Sequence, residues 1–263
     1  MLLLLFFGLS TICLLAVSVL AVPQDVPGEE KAPKVYSSST SLSLLFTSGN
    51  TETKIFALDT EQDLRLEKNQ FQIKGSIISS RNDGTKDSEF YYGHLKYKRE
   101  FLEKVYFLGL GRFERNELAG YLHRLSLTGG IGYTWIKKER VDLATEASVG
   151  WNNEKNMIVN PVPDLEKNGE ILGSETFSFV SMLVSNAVKL YLSSSAFFDI
   201  QEILFFNLKD SKDYRISSLV SLTADISKFL ALKFSYQIHY NHKPIPGFKS
   251  ADHYIFCSLV LNL

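Results

Sequence analysis

The stretch Leu230-Ala231-Leu232-Lys233-Phe234-Ser235-Tyr236-Gln237-Ile238-His239-Tyr240 decides the fold. Leu230, Leu232, Phe234, Tyr236, Ile238 and Tyr240 fall on one parity, and Lys233, Ser235, Gln237, His239 and the following Asn241 on the other. Successive side chains of an extended chain point to opposite faces, so period two here means a strand with one apolar and one wet face. The same split recurs along the chain. Leu125, Leu127, Ile131, Tyr133 and Trp135 stand against Arg124, Ser126, Thr128 and Thr134. Val141, Leu143, Ala147, Val149 and Trp151 stand against Asp142, Glu146, Ser148 and Asn152. Ile216, Val220, Leu222 and Ile226 oppose Arg215, Ser217, Ser221 and Asp225, and Phe56, Leu58, Leu64 and Leu66 oppose Asp59, Glu61, Asp63 and Arg65.

Between such segments the links come in two kinds. Tight polar turns fall near Glu67-Lys68-Asn69, Leu102-Glu103-Lys104, Lys137-Lys138-Glu139, Ser185-Asn186 and Ser227-Lys228. Longer links run over Ser48 to Glu52, Arg81 to Ser88, Asn116 to Gly120, Asn153 to Gly173, Asn207 to Lys212 and Asn241 to Ser250. Five turns and six loops imply about twelve strands, an even number with short turns on one rim and long loops on the other. The expected fold is all-β: a single antiparallel up-and-down transmembrane β-barrel over residues 36–263, both termini on the short-turn side. A lipocalin-like soluble barrel alternates too, but hides its apolar face inside. About twelve strands in one ring would enclose a lumen too wide for side chains to fill, and a polar lumen accepts the charges of the wet face. The residues expected to line it are Asp59, Glu61, Asp63, Arg65, Lys74, Arg112, Glu114, Arg124, Glu146, Arg215, Asp225 and Lys233. Tyr36, Tyr106, Tyr133, Trp135, Trp151, Tyr236 and Tyr240 are placed to form interfacial girdles.

Composition narrows the classes of function. The chain has 263 residues, 13% aromatic, and a formal net charge of -1. It has no basic cluster of the sort that nucleic acid requires. Residues 1–21 are uncharged and apolar and end at Val19-Leu20-Ala21, which suits a cleaved export signal without its usual basic start. Residues 22–35 then form a polar linker. Of the two cysteines, Cys13 lies in that signal and leaves Cys257 alone, so no internal disulfide is expected.

Thr47-Ser48-Gly49-Asn50-Thr51-Glu52-Thr53, with Phe113-Glu114-Arg115 after the fifth strand, Gly129-Gly130-Ile131-Gly132-Tyr133 in the sixth, Asp213-Tyr214-Arg215 opening the tenth and Pro244-Ile245-Pro246-Gly247 in the last loop, resembles the salt-induced outer membrane protein family of Gram-negative envelopes, a domain of unknown function. The resemblance implies an outer-membrane barrel surrounded by outer-membrane lipid, inserted by the barrel assembly machinery, with a link to salt or osmotic stress. It brings no catalytic residues. Such barrels usually end in an aromatic residue; this chain ends Val260-Leu261-Asn262-Leu263.

Catalytic and metal-binding patterns are sparse. His94, His123, His239, His242 and His253 lack helical metal spacing, although pairing of the last two strands could bring His239 toward His253. Asp59, Glu61 and Asp63 share a face, with Arg65 beside them to form lumen salt bridges rather than a calcium site. A phospholipase-like hydrolase needs Ser, His and Asn or Asp in mutual reach on the lipid side; no such set is specified by spacing. No G-x-S-x-G is present, and Gly129-Gly130-Ile131-Gly132 lies in a strand and is no phosphate loop. The expectation is a non-enzymatic protein without cofactor or metal: a passive channel or structural envelope barrel. The alternatives are a membrane hydrolase and a ligand-binding or adhesion barrel that uses its outer loops.

Overall fold

The computed structural model describes residues 35–47, 53–82, 85–159, 171–246 and 248–262. The expected signal and almost all of the linker lie outside them. Twelve strands follow one another: β1 Tyr36–Thr47, β2 Thr53–Leu66, β3 Asn69–Asn82, β4 Thr85–Leu102, β5 Val105–Asn116, β6 Tyr121–Lys138, β7 Val141–Val159, β8 Ile171–Tyr191, β9 Ala196–Asn207, β10 Tyr214–Asp225, β11 Leu230–Asn241 and β12 Ala251–Asn262. Each pairs antiparallel with the next, and β12 returns to β1 to close the barrel. Among the described residues the seam pairs Ser39↔Asn262, Thr40↔Leu261, Ser41↔Val260 and Leu42↔Leu259.

The two faces are distributed as lipid requires. On β11, Phe234 is 55% exposed while Ala231 and Ser235 are buried. Ile255, Leu95 and Ile131 are also more than half exposed, whereas Asn152 and Ser181 are wholly inaccessible. A lipocalin-like barrel in water would show the reverse. With large apolar side chains predominant outside and polar ones predominant inside, the outer wall is built for hydrocarbon, and closure leaves no strand edge unpaired there.

Several boundaries differ from the sequence expectation. Ser185 and Asn186 lie inside β8, where they pair with Glu146 and Thr145; the reversal is at 192–195, through the Ser193-Ser194-Ser195 run. Residues 153–159 continue β7 and 171–173 belong to β8, so the longest link shrinks to 160–170, which lies outside the described residues. A strand needs about ten residues to span hydrocarbon. β7 and β8, with 19 and 21, project beyond it, and a projecting hairpin has water on its outer side and loses clean alternation. Backbone pairing Asn82↔Thr85 likewise leaves only 83–84 between β3 and β4. Phe113-Glu114-Arg115 lies within β5 rather than after it.

Glycines on β6 and β7 set the wall's shape at one place. A methyl group on inward-facing Gly132 would sit 2.2 Å from the Tyr106 ring, and one on Gly130 or Gly150 2.1 Å from a backbone oxygen of the neighbouring strand. Outward-facing Gly109 has nothing within 4 Å. Gly132→Ala should therefore cost about 1–3 kcal/mol through overpacking, read as a lower urea midpoint for the folded, heat-modifiable band on a gel. Gly109→Ala should stay within about 0.5 kcal/mol of the parent.

Candidate functional site

The site is the inner wall. Ser39, Glu61, Lys74, His94, Arg112, Ser126, Asn152 and Phe179 are successive cross-strand partners from β1 to β8, and so share one face. The burial of Ser126 and Asn152 identifies that face as the inner one. By the same registers Asp59, Asp63 and Arg65 on β2, Glu114 on β5, Arg124 on β6, Glu146 on β7, Arg215 and Asp225 on β10 and Lys233 on β11 point inward. The β2 carboxylates do not converge on a common point. Lys74 Nζ lies 3.1 Å from Glu61, Gln72 Nε2 donates to Glu61 at 2.8 Å, and Arg65 Nε lies 3.3 Å from Asp63. Among the described residues no group of His, Cys, Asp and Glu is arranged for a metal.

Two layers of charge cross the interior. In the first, Glu146 on β7 receives Lys96 and Lys98 from β4, the latter at 2.9 Å, and the Tyr106 hydroxyl of β5 at 2.9 Å. β6 lies between, and Gly132 is the position that lets the Tyr106 ring lie flat across it. Tyr106 is thus an inward structural residue and not part of an interfacial girdle. In the second layer Glu154, 1% exposed, is held bidentate by Arg215 at 2.6 and 2.9 Å. Arg124 Nε approaches the same carboxylate at 2.8 Å. Arg124 also reaches Glu114 at 3.3 Å, and Arg215 reaches Asp213 at 3.0 Å. The Tyr121 ring lies 3.8 Å from the Arg124 guanidinium carbon, and Asn241 of β11 donates to the Tyr121 hydroxyl at 2.7 Å. Fork-shaped guanidinium pairing of this kind is among the stronger hydrogen-bonded contacts. The expectation of a lumen too wide for side chains to fill is therefore wrong at these two levels. Arg, Lys and Tyr are long enough to meet groups three to five strands away. A small apolar cluster, Phe179, Leu183 and Phe205 with Ile203, also faces inward on β8 and β9. Sequence offered no signal for it, because Ile203-Leu204-Phe205-Phe206 reads as apolar on both parities.

The last loop forms a lid. Ile245 is buried, and a methyl group on Gly120 would lie 2.7 Å from the Phe248 ring and 3.0 Å from Ile245. Gly120 joins β5 to β6, halfway round the ring from the β11–β12 loop, so Ile245 and Phe248 reach across the mouth to the opposite rim. Gly120 has a φ of 79°, a left-handed conformation that a side chain would strain. Lys243 Nζ lies 2.6 Å from Asp210 in the β9–β10 loop; this contact holds the Asp210 carboxyl below the usual carboxylate range and raises Lys243.

The histidines are dispersed. β11 and β12 pair, but in the register His239↔Asp252 and Ile238↔His253, which puts His239 inside and His253 outside; the conceived metal pair does not form. An outer-wall set of His123, Asn153 and Ser178 exists near the loop rim. Asn153 stands in its middle, donating to Ser178 at 2.9 Å and lying 3.4 Å from His123 Nε2. The imidazole and hydroxyl are two strands apart, so the base does not reach the nucleophile as acyl transfer requires.

One feature of the outer wall was not legible. Trp135 Nε1 donates to Thr145 at 3.0 Å, Thr145 donates to Asn186 at 2.9 Å, and Asn186 bonds Glu202, a carboxylate midway along β9. A carboxylate on the lipid side is unfavourable unless its partner is kept. Glu202→Leu should refold with unchanged or higher stability. Asn186→Leu, which strips the donor, should lower stability by about 1–3 kcal/mol in the same urea titration.

No functionally curated protein matches the sequence. Among solved structures, an outer membrane channel from Pseudomonas putida F1 superposes with a TM-score of 0.47 at 8% identity, covering 91% of this chain and 99% of that one. The porin NanC gives 0.46 at 7%, covering 86% and 97%. The translocator domain of the autotransporter NalP from Neisseria meningitidis gives 0.44 at 13%, covering 86% of each. A family model described as "protein of unknown function, DUF481" matches residues 40–262. The chain belongs to the DUF481 family.

Proposed function

We propose that this protein is an outer-membrane barrel providing a narrow, polar passage for small hydrophilic solutes, kept closed at rest by its own lid and by the Glu154 layer. The observation that carries the reading is the series of charged side chains along the inner wall, from Asp63 and Arg65 near the turn rim to Arg124, Glu154 and Arg215 near the loop rim. A barrel serving only as a scaffold has no use for buried charges, since well-packed apolar side chains stabilise at least as well. The twelve charges expected from the sequence would line the passage, together with Lys96, Lys98 and Glu154. The outer wall would contact outer-membrane lipid, and residues 1–21 would direct export before assembly machinery inserts the barrel. Both termini would then be periplasmic, on the side of the short turns.

A link to salt stress would have a physical counterpart in the lid. Lys243–Asp210 is a loop contact in water, and exposed pairs weaken as the Debye length shrinks from about 8 Å at 0.15 M to about 3 Å at 1 M salt. The Arg215–Glu154 pair is buried and is screened less.

Planar-bilayer recordings of the refolded chain, with the heat-modifiable gel shift as fold control, test this reading. The parent should show rare, small, discrete openings whose frequency rises with salt beyond the change in bulk conductivity. Lys243→Gln and Phe248→Ser should open more often. A folded barrel that is silent in the parent and in both lid variants would contradict the passage and leave a structural envelope role.

A further inference from the structure

The basic row on the β3–β5 wall is unbalanced. Lys74, His94 and Arg112 are direct cross-strand partners on the inner face. Lys74 has its carboxylate, Glu61, at 3.1 Å. Among the described residues the other inward arginines are matched too: Arg65 by Asp63, Arg124 by Glu114 and Glu154, Arg215 by Glu154 and Asp213. Arg112 alone of these has no carboxylate partner among the described residues; Arg124, whose Nε and Nη2 also lack an aligned hydrogen bond, still lies 2.8 Å from Glu154. The Arg112 Nε is buried and has no hydrogen-bond partner, and its guanidinium carbon lies 5.8 Å from the Tyr92 ring centre. The nearest acid along its own strand, Glu114, is occupied by Arg124. A buried charged donor without an acceptor is unfavourable, and native structures rarely leave one so.

The surroundings favour an anion. His94, its neighbour on β4, is fixed by the Tyr92 hydroxyl at 2.6 Å and lies 3.4 Å from Gln72. His239 faces the row from β11, with Ser217 at 3.1 Å and Gln237 at 2.8 Å. The acids with influence here are Glu61, Glu114, Glu146 and Asp199, and the first three already hold Lys74, Arg124 and the Lys96–Lys98 pair.

We infer that Arg112, with His94 beside it and Lys74 two strands along the same row, forms an anion site inside the barrel for a small oxyanion, carboxylate or phosphate, that offers two oxygens to the guanidinium fork. The inference rests on the passage reading for the route by which the anion enters, but binding can be measured without conduction. The test is calorimetric titration of the refolded full chain with inorganic phosphate at low ionic strength, paired with reversal potentials across a salt gradient. Acetate is the carboxylate probe, and chloride the control without a bidentate edge. Phosphate binding should fall about tenfold or more in Arg112→Gln, fall less in Arg112→Lys, which keeps the charge but loses the fork, and be unchanged in Lys137→Gln at the turn rim. The parent's reversal potential should favour anions, and Arg112→Gln should move it toward cations.

Phosphate binding that depends on Arg112 in an electrically silent barrel would uphold the site and sink the passage. Conducting barrels that bind neither phosphate nor acetate, or that bind them equally with and without Arg112, would overturn the site and leave the passage standing. If Arg112→Gln does not refold, Arg112→Lys carries the test: weakened phosphate binding supports the site, and unchanged binding overturns it.

Discussion

In hydrocarbon an unpaired backbone amide has no water to turn to, so a sheet persists there only when its first and last strands meet. In this chain that meeting is the β1–β12 seam, which among the described residues has four residue pairs, from Ser39↔Asn262 to Leu42↔Leu259, and is the shortest of the twelve junctions. Everything else depends on it. Closure turns period-two patterning into an inside and an outside, and it removes the polar parity of every strand from lipid. The same constraint explains why Leu261, Leu259 and Ile255, more than 45% exposed in the fold, are in their proper environment.

Closure also sets the problem that the interior solves. Charged side chains drawn into a narrow space are favourable only when paired and hydrogen-bonded. Glu146 is met by two lysines and the Tyr106 hydroxyl, and Glu154 by two arginines. These pairings reach across intervening strands, and a residue without a side chain makes one of them possible: Gly132, over which Tyr106 lies. Sequence, packing and electrostatics meet at that point, because a larger residue at 132 would displace the ring that helps to hold Glu146. At the loop rim the equivalent economy is Gly120, which receives Phe248 and Ile245 of the lid.

How much of this could be read beforehand follows from which interactions are local. Alternation is local, so β6, β7, β10 and β11 and the inward parity of Arg124, Glu146, Arg215 and Lys233 were legible in residues two apart. The turn placed at Ser185-Asn186 shows the limit. Asn186 is polar because it sits in an outer-wall network with Thr145 and Glu202, a context 41 residues away in one direction that no window contains. Residues 153–159 read as loop because the polar run Asn153-Glu154-Lys155-Asn156 interrupts the alternation where a strand leaves the membrane. Tyr106 read as a girdle residue because an aromatic near a strand end carries no mark of its face. The charge layers, the lid and the lone guanidinium of Arg112 are products of ring geometry. They bring together residues such as Tyr121 and Asn241, 120 positions apart, and only the closed barrel reveals them.

The central claim is the orientation of the two faces, and nitroxide accessibility along β11 tests it most directly. In a Cys257→Ser background, single labels at 233, 234, 235 and 236 in the refolded barrel would be exposed to oxygen, which concentrates in lipid, and to a water-soluble nickel complex. The account predicts strict alternation, with oxygen favoured at 234 and 236 and depressed at 233 and 235. The opposite phase, or no alternation at all, would contradict it.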